Sequence, residues 1–136
     1  MPSWKLYYHF VWATKQRQPL IDSNLESDLY RAIAAKVQEM EGFVHAVDGT
    51  KDHVHLAVSI PPKLALSEFI GDTKGNSSHF VNHIVKPDLE FRWQDEYDVL
   101  SFGEKNLPTV VGYIHNQKQH HADATLITAM ERMDNE

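Results

Sequence analysis

The 136-residue sequence contains no cysteine, so disulfide bonds and thiolate chemistry are excluded. It also lacks any apolar run of about 18 residues that could span a membrane, and its first residues show no signal-peptide pattern. We therefore expect a cytoplasmic protein with no membrane partner. Repeats and low-complexity segments are absent as well, which predicts a single domain over residues 1–136 with its own core.

Positive charge is scarce, because 13 lysines and arginines face 19 aspartates and glutamates, for a net charge of −6. Such a balance disfavours a protein that coats duplex DNA through bulk electrostatics. The first 18 residues are an exception, since they carry Lys5, Lys15 and Arg17 and no acid. If nucleic acid binds, we expect it at a local groove, as a short segment specified by its shape.

Histidine is abundant, with nine residues, and two of them stand in a strand-like stretch. Side chains of a strand alternate between its two faces, so His53 and His55 share one face. The opposite face is apolar and consists of Val54, Leu56, Val58 and Ile60. Two imidazoles whose α-carbons are about 6–7 Å apart can bind one metal ion. The alternative is a half-buried strand with two histidines facing solvent.

Strand and helix patterns alternate along the rest of the chain. Strands are predicted at 6–13, 43–47, 53–60 and 97–102, with a turn at Asp48-Gly49. A first helix is predicted from a capping box of Ser23 and Glu26, with Gly42 placed to end it. A second helix covers 66–81, and a third begins near Asn106. This β-α-β-β-α-β-α order favours an α+β fold, an antiparallel sheet with helices packed on it.

The last predicted helix carries Tyr113 and Gln117 one turn apart, so their side chains are neighbours. A phenol with a pKa near 10 is a poor nucleophile, but a metal that polarises a phosphodiester makes its attack feasible. His53, His55 and the amide oxygen of Gln117 would then hold a divalent ion beside Tyr113. Two imidazoles and one oxygen suit Mn²⁺ better than Mg²⁺. The alternative is that Tyr113 packs on the core with its hydroxyl at the rim.

Four further side chains are candidates for contacts to DNA. Lys15 and Arg17 lie in a polar loop after the first strand, and Lys74 and Ser78 lie on the second helix. That helix also contains two glycines, at 71 and 75, which suggest close approach of another backbone or of a ligand. The alternative is that all four side chains are simply solvated.

Two motifs resemble a known family. The run from Lys51 to Leu56 resembles the histidine–apolar–histidine motif of HUH enzymes, and the run from Val110 to Gln117 resembles the helix of small single-tyrosine HUH transposases. The resemblance extends over residues 8–15, 74–78 and 93–101, and so over nearly the whole chain. It implies a ferredoxin-like antiparallel sheet that contains the HUH strand, a nucleophile on a C-terminal helix, and a homodimer joined through sheet edges.

The resemblance also implies an activity, the cleavage and rejoining of single-stranded DNA that bears a hairpin. Family members act on insertion sequences and on repetitive extragenic palindromes. Tyr113 would take the 5′ phosphate covalently and leave a 3′ hydroxyl, and His53, His55 and Gln117 would bind Mg²⁺ or Mn²⁺. The alternative is a catalytically inactive or domesticated nucleic-acid-binding protein of the same fold.

Other enzyme classes lack their motifs here. A two-histidine phosphoesterase needs His-x-Ser/Thr, and no histidine has serine or threonine two positions on. A zinc metalloprotease needs His-Glu-x-x-His, which is also absent. A purely structural dimer would have no activity to lose when Tyr113 is changed.

Overall fold

The computed structural model describes residues 4–118, which form four strands and three main helices. Their order is β1 (Tyr7–Ala13), α1 (Glu26–Glu39), β2 (Phe43–Gly49), β3 (His53–Ser59), α2 (Leu66–Phe80), β4 (Asp98–Phe102) and α3 (Leu107–His115). A π-helical turn, Val81–Val85, follows α2 directly. None of the helices in this part of the chain is both long and apolar enough to cross a membrane.

The four strands form one sheet in the order β2-β3-β1-β4, and all neighbours are antiparallel. Helix α1 connects β1 to β2, and α2 connects β3 to β4, so the two central strands are each joined to an outer one through a helix. This is the ferredoxin-like β-α-β-β-α-β arrangement, and the predicted fold class is confirmed.

The main core lies between one face of the sheet and helices α1 and α2. The sheet contributes the apolar face predicted from the alternation, and the helices contribute their apolar stripes; the fully buried members include Phe10, Trp12, Val54, Leu56, Val58, Leu29, Ile33, Val37, Phe69 and Ile70. Burying each large side chain stabilises the fold by about 1.5–3 kcal/mol. This face therefore fixes the strand register.

Helix α3 covers the opposite face of the sheet. Val110 and Ile114 of α3 pack on Ala46 of β2 and Ala57 of β3, a small apolar cluster separate from the main core. The small alanine side chains let α3 lie close to the strands. As a result His53 and His55, which share the face of Ala57, are fully buried. The alternative of two solvent-facing histidines is wrong.

The turn between β2 and β3 lies slightly later than predicted. Strand β2 continues through Gly49, and residues 50–52 form the turn. A Cβ at Gly49 would lie 2.1 Å from the carbonyl oxygen of His53, so only glycine fits there. Gly49 thus permits the close backbone approach that starts β3 at His53.

The ends of α1 also differ from the prediction. The carboxylate of Asp22, not the hydroxyl of Ser23, accepts hydrogen bonds from the N–H groups of Asn24 and Leu25, at 3.0 and 2.8 Å. At the other end Glu41 takes the left-handed conformation, with φ of 66°. Position 42 has little space for a side chain, because a Cβ added there would lie 2.8 Å from a methyl carbon of Val37.

Candidate metal and nucleophile site

His53 is oriented by two neighbours in the β2–β3 turn. Its Nδ1 lies 2.9 Å from Oδ1 of Asp52 and 2.8 Å from Oγ1 of Thr50. An ionised carboxylate only accepts hydrogen bonds, so Nδ1 carries the proton and Nε2 carries the lone pair. This is the tautomer in which an imidazole binds metal through Nε2.

The carboxylate of Asp52 is in turn held by Arg17, whose guanidinium lies 3.2 Å from Oδ1, and by the hydroxyl of Thr50 at 3.1 Å. Burial alone raises the pKa of Asp52, but the hydrogen bond from His53 and the charge of Arg17 outweigh it and lower this pKa. Asp52 therefore stays an acceptor. Arg17, a predicted DNA contact, thus binds the carboxylate that orients His53, a predicted metal ligand.

His55 lies at the centre of the buried cluster. Its ring centroid is 5.1 Å from that of His53 and 6.2 Å from that of Tyr113, both in edge-on geometry. Its Nδ1 lies 2.9 Å from Nε2 of His9 on the neighbouring strand β1. The structure therefore brings the two predicted histidines and the predicted nucleophile together beneath α3.

Gln117, the third predicted ligand, lies two residues beyond the end of α3 and one helical turn after Tyr113. Its amide nitrogen donates to the carbonyl oxygen of Tyr113 at 3.4 Å, and its side chain is fully buried. Its Oε1 is buried without a hydrogen-bond partner among residues 4–118. A buried polar atom in this state is costly unless a further ligand satisfies it.

Lys118 fixes the end of this helical segment over the β2–β3 turn. Its ammonium lies 2.9 Å from Glu26, 3.2 Å from Asp48 and 3.3 Å from the carbonyl oxygen of Gly49. Burial opposes its charge, but the carboxylates of Glu26 and Asp48 outweigh burial and raise the pKa of Lys118. Gln117 is thereby held near the start of β3. His121, four residues after Gln117 and so on the same face of the predicted helix, lies outside the described residues.

The donor set fits a divalent ion. No cluster of three His, Cys, Asp or Glu side chains suited to metal occurs within residues 4–118, so a centre here depends on an amide oxygen as third ligand. The buried Oε1 of Gln117 is such an oxygen, and His53 already has the required tautomer. Imidazole and amide ligands suit Mn²⁺ and, less well, Mg²⁺.

Lys74 and Ser78 lie away from this cluster, in an open groove of about 500 Å³ between α2 and residues 90–97. The ammonium of Lys74 donates to the carbonyl oxygens of Gln94 and Glu96, at 2.5 and 3.1 Å, and burial lowers its pKa. The Ser78 hydroxyl donates to its own helix. Among residues 4–118, no backbone outside α2 itself lies within 4 Å of a Cβ added at the two predicted glycines, 71 and 75, which line the groove.

Lys15 is exposed and borders a different cavity, of about 350 Å³, on residues 93–96. The four predicted DNA contacts are thus distributed over three places, with only Arg17 adjoining the buried cluster. Their contact with DNA stays a prediction.

Sequence reasoning missed the residues that orient the two histidines, namely His9, Asp52 and Thr50. One signal was available for His9, because it alternates with the core residues Phe10 and Trp12 and so must face away from the core. That face meets His55 only because β1 lies beside β3, and strand order is not written in the local sequence.

Two solved structures share this fold. A candidate transposase from Deinococcus radiodurans superposes with a TM-score of 0.69 at 24% identity, over 85% of this chain and 93% of that one. A REP-associated tyrosine transposase bound to a REP hairpin superposes with a TM-score of 0.67 at 16% identity, over 89% and 74%. The fold is therefore one that transposases use.

The sequence gives the family itself, because residues 2–117 match the model for IS200-like transposases. The ISDra2 transposase TnpA of Deinococcus radiodurans is 28% identical over 123 residues, 84% of this chain and 85% of that protein. The IS200 transposase of Salmonella typhimurium is 29% identical over 121 residues, 84% and 78% respectively. The chain belongs to the IS200-like transposase family, which confirms the resemblance and assigns it to DNA transposition.

Proposed function

We propose that this transposase cleaves and rejoins single-stranded DNA through a 5′-phosphotyrosine intermediate, with a divalent metal ion as cofactor. The observation that carries the proposal is the buried cluster beneath α3, in which the ring of Tyr113 contacts His55 and Gln117 follows one helical turn later. Two metal-binding side chains, an amide oxygen and a phenol are the groups that this reaction needs.

The chemical step is a transesterification. The phenolic oxygen of Tyr113 attacks the phosphorus of a phosphodiester, and the bond from phosphorus to the 3′ oxygen breaks. The phenolic proton is lost and the departing 3′ oxygen gains one, so the number of protons and phosphate esters is unchanged. In the reverse direction a 3′ hydroxyl attacks the phosphotyrosine, which rejoins DNA strands without another energy source.

His53, His55 and Gln117 would hold the metal ion. When bound, the ion would polarise the phosphate and stabilise the charge that develops in the transition state. The chain itself prepares this site, because Asp52 fixes the tautomer of His53 and the burial under α3 excludes water. Exclusion of water strengthens every electrostatic interaction with the phosphate.

We propose single-stranded DNA with a hairpin as the substrate. The solved REP-associated relative is bound to a REP hairpin, and the net charge of −6 disfavours unspecific binding to a duplex. Lys15, Arg17, Lys74 and Ser78 are the candidate contacts on the protein.

We also propose a homodimer joined through sheet edges. The outer strands β2 and β4 each leave one edge without a neighbouring strand among the described residues. Such edges present backbone groups that can pair with a second copy. Light scattering should give a mass near twice 15.6 kDa, and a monomer at all concentrations would refute this part of the proposal.

The decisive experiment uses Tyr113→Phe, which removes the hydroxyl and keeps the ring. A 3′-labelled hairpin strand from the DNA flanking the gene is incubated with Mn²⁺ and either protein. The wild type should give an adduct that survives denaturation, and Tyr113→Phe should give none while it still binds Mn²⁺. Tyr97→Phe serves as a control for a tyrosine outside the cluster.

The outcomes separate the enzyme from its alternative. An undiminished adduct in Tyr113→Phe would move the nucleophile elsewhere. Binding of the hairpin without any adduct from the wild type would favour the catalytically inactive protein of the same fold. Loss of the hydroxyl should change the free energy of unfolding by no more than about 1.5 kcal/mol, so a folding defect would not mimic loss of chemistry.

A further inference from the structure

His9 joins β1 to a predicted metal ligand through a hydrogen bond between two side chains. It is 2% exposed, and its Nε2 lies 2.9 Å from Nδ1 of His55. The register places His9 opposite Ala57 and Val11 opposite His55, so the two histidines are diagonal neighbours on the face under α3. Neither the reaction nor the resemblance assigns a role to His9.

Two neutral imidazoles can share this hydrogen bond in two ways. If Nδ1 of His55 donates, then its Nε2 keeps the lone pair and can bind a metal ion. If Nε2 of His9 donates instead, then the proton of His55 sits on Nε2, which can no longer be a ligand. The direction of this hydrogen bond therefore bears directly on whether Nε2 of His55 can bind a metal ion.

The two predicted ligands differ in how this choice is made. Nδ1 of His53 faces the carboxylate of Asp52, which can only accept, as well as the hydroxyl of Thr50. The partner of His55 is another imidazole, which can donate or accept. At Nδ1 of His55 the proton thus faces a group that can take either role rather than a fixed charge.

We propose that His9 is a positioning residue that accepts a hydrogen bond from Nδ1 of His55 and so keeps Nε2 of His55 available to a divalent metal ion. The inference rests on the metal site of the proposed function. In this proposal His9 acts as a hydrogen-bond acceptor. Glutamine should be able to take over that role, because its amide oxygen reaches about as far as Nε2 of histidine. Leucine fills a similar volume and cannot accept a hydrogen bond.

The test combines nitrogen NMR of the histidine rings in metal-free protein with calorimetric titration of Mn²⁺. In the wild type we expect His55 to carry its proton on Nδ1. His9→Gln should keep this tautomer and bind Mn²⁺ within a few-fold of the wild-type Kd. His9→Leu should lose the single tautomer and bind Mn²⁺ about 10–100-fold more weakly, the usual effect of removing such a partner.

His45→Leu is the matched control. His45 also lies on a strand, β2, and its Nε2 is 2.8 Å from Oγ of Ser59. Ser59 is at the opposite end of β3 from His53, so this contact is remote from the predicted metal ligands. Its replacement should leave the Mn²⁺ affinity unchanged. If His9→Leu does not fold, His9→Asn takes its place, because its shorter amide should not reach His55 and should also weaken binding.

Wild-type Mn²⁺ affinity in a folded His9→Leu protein would overturn the proposal, and so would a proton on Nε2 of His55 in the wild type. Failure of the proposed function looks different. If the wild type bound no Mn²⁺ but showed the His9-dependent tautomer, the metal site would fail while the assignment of His9 would stand.

Discussion

A histidine ligand depends on the residue that holds its other nitrogen. In this chain the two strand histidines have opposite kinds of support, a charged acceptor for His53 and a second imidazole for His55. Both supports are buried or half-buried, so water competes little for these hydrogen bonds. The orientation of both histidines thus depends on single side chains, His9 on β1 and Asp52 in the β2–β3 turn.

Gly49 gives a first prediction at this scale. Gly49→Ala should lower the free energy of unfolding by about 2–3 kcal/mol, because the new Cβ would overlap the carbonyl of His53. Urea unfolding measures this change. Gly71→Ala is the control, since a Cβ there meets nothing within 4 Å in the described part of the chain and the helix should gain up to about 1 kcal/mol. Equal stability of the two variants would contradict the turn geometry.

His45 gives a prediction for pH. Burial lowers the pKa of His45 below its ordinary 6.5, so the unfolded chain takes up this proton first as the pH falls. The stability that His45 provides is therefore present above pH 6.5 and is lost on acidification. His45→Gln should lose less stability between pH 7.5 and 5 than the wild type does, in urea unfolding with a chelator present. An identical loss would show that the pKa of His45 is not lowered.

At the scale of elements, the four strands and the three main helices could be predicted, but the π-helical turn after α2 and the contacts between elements could not. The alternation of Val54, Leu56 and Val58 defined the core face of β3. The helical spacing of Tyr113 and Gln117 predicted that they are neighbours, although α3 ends at His115 and Gln117 lies just beyond it. The position of α3 over the sheet depends on the small side chains of Ala46 and Ala57, which lie on different strands. Local patterns carry no information about such pairings.

The start of α1 shows the same limit on a smaller scale. Ser23 and Glu26 have the spacing of a capping box, yet Asp22 provides the cap because its carboxylate reaches two backbone N–H groups. Several residues in this segment are chemically able to cap, and backbone geometry selects one. The sequence thus predicts that a helix begins here, but it does not predict which side chain caps it.

This choice can be tested by substitution. Asp22→Ala should lower the free energy of unfolding by about 1 kcal/mol, since two N–H groups lose their acceptor. Ser23→Ala should stay within about 0.5 kcal/mol of the wild type, as expected for an exposed side chain whose hydroxyl has no hydrogen bond within residues 4–118. Thermal unfolding of both variants gives the comparison, and a larger loss for Ser23→Ala would restore the predicted capping box.

On the scale of the whole molecule, the positive charges that could contact DNA are few and lie apart from the buried cluster. The buried cluster lies beneath α3, whereas the candidate cations lie at separate places on the surface, and Lys74 and Arg17 are engaged with protein oxygens. Because the net charge is −6, long-range attraction of phosphates is weak. We therefore predict that the proposed substrate, a single strand with a hairpin, is recognised by its shape more than by the number of phosphates contacted.

The salt dependence of binding tests this argument. Three candidate cations, Lys15, Arg17 and Lys74, would give a slope of log K against log salt of about −2 for single-stranded DNA, at about 0.7 for each phosphate neutralised. Fluorescence anisotropy with a hairpin strand, at several salt concentrations, measures this slope. Lys15→Gln should reduce it by about 0.7 because that side chain is exposed. An unstructured duplex of equal length should bind more weakly at every salt concentration. Equal affinity for the duplex would show that bulk electrostatics dominate binding, and so would a slope steeper than about −5.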